Sequence, residues 1–365
     1  MSAQPFRRIA ILGAGNGGRA LAAWHRRQGH AVVLWNRRWD HLPEFVRTKT
    51  LRLSGQAEGE ATGLVLAASL AEAVHGADLV MVVTTADAHR ALLTEAARHL
   101  RPDAWVMLHP GRTGGALEVR AVLDQILPGN RIGVCESQSL VFACRARSDC
   151  EVNIIGIKDC VPVAALPASR TAEIVARLSP ILPGMMAAPS VLHTSFENIG
   201  AILHPAITLF NVGLIDRGQE FRFYADSSEA VTEFVQRLDE ERLRLGWAYG
   251  VQLTPLIDWI ARAYPDSHGE TLLERMRSNP AYSTIIGPRS FTARHISEDI
   301  PTGLVPYVSF ADAAGIDLPL MRSLICIAGV LAKRDFWATG RTLARLGLKG
   351  ATRAEIRREL DLTAA

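Results

Sequence analysis

The chain has 365 residues, 48% of them hydrophobic and 21% charged, with a formal net charge of +3. That length suits two domains, and a small net charge without a dense Lys/Arg cluster argues against a nucleic-acid surface. The five cysteines form no C-x-x-C pair and no Cys/His pattern with zinc spacing, so no metal is expected. No apolar run reaches the roughly 18 residues of a membrane span, and the reading is a cytoplasmic protein.

In chain order, Ile9 to Leu12 reads as a buried parallel strand. Gly13-Ala14-Gly15-Asn16-Gly17-Gly18 then fits G-x-G-x-x-G, Arg19 to Gln28 reads as a helix, and Ala31 to Trp35 as a second strand. In such a unit the first glycine makes a tight turn, the second lets backbone approach a pyrophosphate, and the third packs helix against strand. The helix N-terminus presents N–H groups and a positive dipole end to the anion. A dinucleotide site is therefore expected. Asn36-Arg37-Arg38 stands where an NAD site would carry Asp or Glu. Two guanidiniums favour a 2′-phosphate, hence NADP(H), with NAD(H) as the alternative.

The alternation continues with strands at 77–85, 104–111 and 131–140 and helices at 86–100 and 112–127. It implies an α/β N-terminal domain over 1–188, a Rossmann-type doubly wound parallel sheet. Ligands bind at the carboxyl ends of such strands, which places Thr84, Thr85, His109, Pro110, Gly111 and Glu136 around the nicotinamide end. His89 and His109 read as loop or helix-start residues, and Lys158 as an exposed strand-end lysine.

An all-α C-terminal domain is expected over 189–365, with helices at 196–217, 226–248, 253–263, 309–333 and from about 351. The cleft between the two domains would hold substrate. In "ENIGAILHPAITLFN", Glu197, Ala201, His204, Thr208 and Asn211 share one face at helical spacing. Pro205 cannot donate to the carbonyl of Ala201, which predicts a kink beside His204. The residues leave two readings open: a histidine facing the cleft, or a buried one satisfied by a neighbour. Glu298-Asp299, in "ARHISEDIPTGLVP", is equally double: a helix N-cap, or a carboxylate that orients and charges His204.

These segments, with "HPGRTGGALE" (109–118), "CESQSLVFACR" (135–145) and "KRDFWATGRTLARLGL" (333–348), resemble the opine dehydrogenases, the octopine/nopaline dehydrogenase family. The resemblance covers nearly the whole chain. It implies an NAD(P)H-dependent reductive condensation of an amino acid with a 2-oxo acid such as pyruvate or 2-oxoglutarate. It also implies that His204 and Asp299 form the acid/base pair, that Arg294 reaches the cofactor pyrophosphate, and that Glu136 and Asn198 lie near substrate. One rival is a simple reductase of 2-oxo acids or ketones; several such enzymes use a lysine in the first helix of the second domain, and 191–216 contains none. Another is a non-catalytic NADP(H)-binding sensor. The partners expected are small molecules, with neither nucleic acid nor membrane. A homodimer through the apolar C-terminal helices is left open.

Overall fold

The computed structural model describes residues 5–360. They fall into two compact units that divide between Ser195 and Phe196. In the first, twelve strands follow in chain order: β1 (Arg8–Leu12), β2 (Ala31–Trp35), β3 (Leu51–Gly55), β4 (Gly59–Ala61), β5 (Val65–Leu66), β6 (Leu79–Val82), β7 (Trp105–Leu108), β8 (Gly133–Ser137), β9 (Phe142–Ala146), β10 (Glu151–Ile157), β11 (Val161–Leu166) and β12 (Met185–Ala187). An eight-stranded sheet runs β12-β11-β8-β7-β6-β1-β2-β5. All its neighbours pair in parallel except β11, which runs antiparallel to β8. Every residue of β6, β7 and β8 is buried, which is why these strands read as continuous apolar runs.

A second sheet, β4-β3-β10-β9, is absent from the sequence reading. Its strands alternate buried and exposed residues, as in β3 (Leu51 and Leu53 buried, Arg52 exposed), so each offers only one apolar face and a weak signal. Trp24, on the helix Asn16–Arg27, packs against Phe142 of β9 with ring centroids 5.1 Å apart.

The second unit is helical, with one isolated bridge between Arg222 and Ile286. Two of the long expected helices are interrupted. The 196–217 stretch breaks at Asn211 into Ile199–Phe210 and Val212–Asp216, the Asn211 amide donating back to the Ile207 carbonyl at 2.9 Å. The 309–333 stretch divides into Val305–Ala313 and Pro319–Ala332, because Gly315 at φ +69° ends the first and Pro319 opens the second. The helix Ile199–Phe210 runs on through Pro205.

Candidate active site

The glycine loop follows β1, whose Leu12 carbonyl accepts from Val83 at 2.8 Å. Its glycines answer to different causes. Gly13 has φ +112°, and a Cβ there would lie 2.6 Å from the Val83 carbonyl oxygen and 2.9 Å from the Thr84 methyl. A Cβ on Gly18 would meet the Gly13 carbonyl oxygen at 1.7 Å, and one on Gly17 would press on Leu140 at 3.2 Å. The chain itself requires Gly13 and Gly18 to be small, whereas at Gly17 the Leu140 side chain would have to give by only a few tenths of an ångström. A Cβ on Gly15 would meet nothing of the chain within 4 Å, so the chain itself does not require a glycine there. Gly15 is also the N-cap of Asn16–Arg27, with no side-chain cap and no acidic residue in the first turn. Helix N–H groups and dipole are thus left to an anion, and the loop fits the pyrophosphate of a dinucleotide.

The polar residues around the loop divide in the same way. Asn36 Oδ1 accepts from the Ala14 N–H at 3.1 Å, and its amide donates to the Arg38 carbonyl at 2.5 Å, so Asn36 shapes the loop. Asn16 Oδ1 accepts from the Ala146 N–H at 3.1 Å and ties the helix start to β9. Arg37 is exposed, and Arg38 makes a solvent-exposed ion pair with Asp40 at 3.7 Å.

Three polar residues at the carboxyl ends of the strands depart from the sequence reading or refine it. His109 is fully buried; its Nδ1 meets Ser137 Oγ at 2.5 Å and its Nε2 accepts from the Val141 N–H at 3.2 Å. Burial, with Lys158 nearby, pushes its pKa down to about 3, so it is a neutral structural residue. Glu136, also fully buried, accepts from the Ala116 N–H at 2.7 Å, Thr194 Oγ1 at 2.6 Å and Ser195 Oγ at 3.1 Å. Its carboxylate thereby sits at the N-terminus of the helix Gly115–Ile126 and clasps the 194–195 segment. Lys158 is not the exposed residue expected: burial, with Arg112 nearby, pulls its pKa to about 8, and its Nζ donates to Ser139 Oγ at 2.9 Å.

In the helical unit, His204 projects from Ile199–Phe210 and places Nδ1 2.7 Å from Asp299 Oδ2. The Asp299 side chain is fully buried and that of His204 is 13% exposed. Asp299 immediately precedes a π-helical turn, Ile300–Leu304, in which the Leu304 N–H donates to the Asp299 carbonyl at 3.2 Å. That turn lies hard against the His204 helix because residue 303 is glycine: a Cβ there would sit 2.4 Å from the Ala201 Cβ. Thr302 Oγ1 donates to the Glu298 carbonyl at 2.7 Å and steadies the same turn.

His204 Nε2 meets the Tyr224 hydroxyl at 3.1 Å. The Tyr224 ring stacks on Tyr282, centroids 4.0 Å apart and planes at 18°, and the His295 ring lies 4.8 Å from that of His204. With Nδ1–H donating to a carboxylate, Nε2 is the atom left to exchange a proton. Sequence reasoning missed Tyr224; its only signal is the aromatic run Phe221, Phe223 and Tyr224 in a stretch between helices.

The other residues expected in this unit take different places. Glu197 lies outside the helix and does not share a stripe with His204; it accepts from the Thr254 N–H at 2.8 Å and lies 3.6 Å from the buried Arg242. Asn198 is buried at the N-cap, its carbonyl accepting from the Tyr307 hydroxyl at 3.3 Å. Arg294 opens the short helix Arg294–Ser297, half-exposed and 4.0 Å from Glu298.

Comparison with known proteins adds an independent line. Residues 187–332 match the helical domain of NAD/NADP octopine/nopaline dehydrogenases, and residues 8–140 match the N-terminus of NAD-dependent glycerol-3-phosphate dehydrogenase. An opine dehydrogenase of Arthrobacter sp. (strain 1C) is 32% identical over 361 residues, covering 96% of this chain and 98% of its own. An octopine dehydrogenase solved with NADH and L-arginine superposes with a TM-score of 0.81 at 19% identity, over 98% of this chain and 99% of that one. A yersinopine dehydrogenase with bound NADP+ does so at 0.76 and 17%, over 98% and 99%. Glycine loop, helical unit and full-length likeness converge, and the chain belongs to the opine dehydrogenase family.

Proposed function

We propose that the protein is an NAD(P)H-dependent opine dehydrogenase that condenses the amino group of an amino acid with a 2-oxo acid and reduces the imine to a secondary amine. The observation that carries the chemistry is the His204–Asp299 contact of 2.7 Å, with Nε2 directed at a hydroxyl rather than at a second carboxylate. Asp299 holds the imidazole in one tautomer and orientation. His204, as imidazolium, gives the Nε2 proton to the oxygen that leaves as water when the imine forms. A reduced nicotinamide cofactor, when bound, would supply the hydride that the imine takes up. Gly15 and the helix N-terminus behind it would receive the cofactor pyrophosphate. The Glu136 carboxylate acts through the frame, holding the start of the Gly115–Ile126 helix and the 194–195 segment.

NADP(H) is the preferred cofactor in this reading. Arg37 is exposed just past β2, and Asn36, which stands where a ribose-binding carboxylate would be, is turned to the loop. The five cysteines are all free thiols, which suits a reducing cytoplasm. No helix among the described residues is long and apolar enough to cross a membrane.

The deciding experiment follows NADPH and NADH oxidation with pyruvate or 2-oxoglutarate, with and without pooled amino acids. Oxidation that requires the amine is the expected result, and splitting the pool then names the substrate. Oxidation by the oxo acid alone would make the protein a simple reductase.

A further inference from the structure

Reductive condensation written from an ammonium substrate to an ammonium product consumes one proton from the medium per turnover, besides the hydride. In the proposed mechanism His204 delivers a proton and has to regain one before the next cycle. The route by which it does so is a property of its surroundings. The polar groups facing the imidazole are Asp299, Tyr224 and His295.

The Nδ1 side is closed. Asp299 is 0% exposed, and a proton entering there would cross a carboxylate buried against the π-helical turn. His295 meets His204 ring to ring, planes at 43°. On the other side, Nε2 meets the Tyr224 hydroxyl at 3.1 Å. A phenol both donates and accepts, so it can pass its own proton to Nε2 while its oxygen takes another. No phenolate forms on that route, and the exchange moves one proton inward for each one accepted.

Tyr224 is held for such a task. Its ring is clamped between Tyr282, stacked at 4.0 Å, and Phe223, edge-on at 4.9 Å and 87°. Burial raises the Tyr282 pKa well above its usual value, so the ring beneath stays a neutral phenol. The Nε2 side of the pair keeps some exposure, 7% at Tyr224 and 13% at the His204 side chain, against none at Asp299.

We propose that Tyr224 is the proton relay of the site: it recharges His204 at Nε2 from the medium between turnovers and yields its place to the substrate oxygen during the reaction. This rests on the reading of His204 as the acid/base group.

The test compares Tyr224→Phe with His204→Ala in the full-length enzyme, under cofactor saturation and at low buffer concentration. Tyr224→Phe keeps the stacked ring and removes only the hydroxyl. Turnover is expected to fall about tenfold or more with cofactor affinity unchanged, and to recover progressively as a small acid such as imidazolium is added. The wild type is expected to ignore the added acid. Unchanged turnover in Tyr224→Phe, or a loss that no added acid relieves, would overturn the relay. His204→Ala separates the two ideas: if it retains full turnover, the acid/base reading fails and the relay with it. If it is inactive while Tyr224→Phe is normal, the relay alone fails. Should Tyr224→Phe not fold, the wild-type rate in mixtures of light and heavy water decides. Two protons in flight give a bowed dependence, and a straight line overturns the relay.

Discussion

The two units build their sites by opposite means. The cofactor loop is made from neighbours in the chain, Gly13 to Gly18, with backbone N–H groups as its working parts. The proposed acid/base site is made from side chains contributed by residues 204, 224 and 299, brought together only by packing. In the first, the decisive features are glycines, two of which, Gly13 and Gly18, have backbone where a side chain would be. In the second, the decisive feature is how closely the 300–304 turn approaches the 199–210 helix, and this is set at Gly303 and Ala201, neither of which does any chemistry. A site of the first kind is written into a short stretch of sequence, whereas one of the second kind depends on residues that never touch the substrate.

Five substitutions, one of them paired with a compensating change, break or sharpen that contrast, the largest effect first. His204→Ala should cut turnover about 10²–10⁴-fold with cofactor affinity unchanged, measured by steady-state kinetics and by titration of the reduced cofactor's fluorescence. The glycine pair should come apart. Gly15→Ala should fold with the wild-type melting temperature yet lose cofactor affinity at least about tenfold, whereas Gly18→Ala should lower stability itself, by about 1–3 kcal/mol in denaturant unfolding. Equal melting curves for the two would remove the distinction between glycines the chain needs and the one the ligand needs.

Gly303→Ala should cost about 1–3 kcal/mol and part of the turnover, because the new methyl has to push the turn away from Ala201. Adding Ala201→Gly should restore much of both, and a double variant no better than the single would show that the close approach is not what sets the His204–Asp299 geometry. Smallest is Arg37→Ala. It should shift the ratio of kcat/KM for NADPH over NADH toward NADH by about tenfold, as expected for losing one charged contact to a phosphate worth about 1.5 kcal/mol. An unmoved ratio would place the 2′-phosphate elsewhere.

Legibility in the sequence follows the same division. The β1–helix–β2 unit and the buried strands β6 to β8 could be read because their signals are local: glycine spacing and unbroken apolar runs. The second sheet could not, since its strands are half polar and their partners lie far along the chain. His204 and Asp299 were nameable through family likeness, while spacing alone left each with a structural alternative. Tyr224 and the partly buried state of Lys158 were invisible for one reason. Each depends on a contact made by tertiary packing, with His204 in one case and Ser139 in the other, to which neighbouring residues contribute nothing. Glu197 was misplaced because helical spacing was extended past the true helix start at Ile199.

The smaller sheet has a consequence for how the chain is made. Its inner pairing joins β3 to β10, and Ser54 Oγ donates to Glu151, 97 residues later in the sequence. The β3–β4 hairpin is therefore complete long before its partner exists, and a lone hairpin is marginal in water. At a synthesis rate of roughly 5–20 residues per second, that edge stays open for about 5–20 seconds on every ribosome. In that interval its unpaired N–H and C=O groups are free to pair with a neighbouring nascent chain, which makes crowding on the messenger, rather than heat, the hazard this part of the molecule faces first.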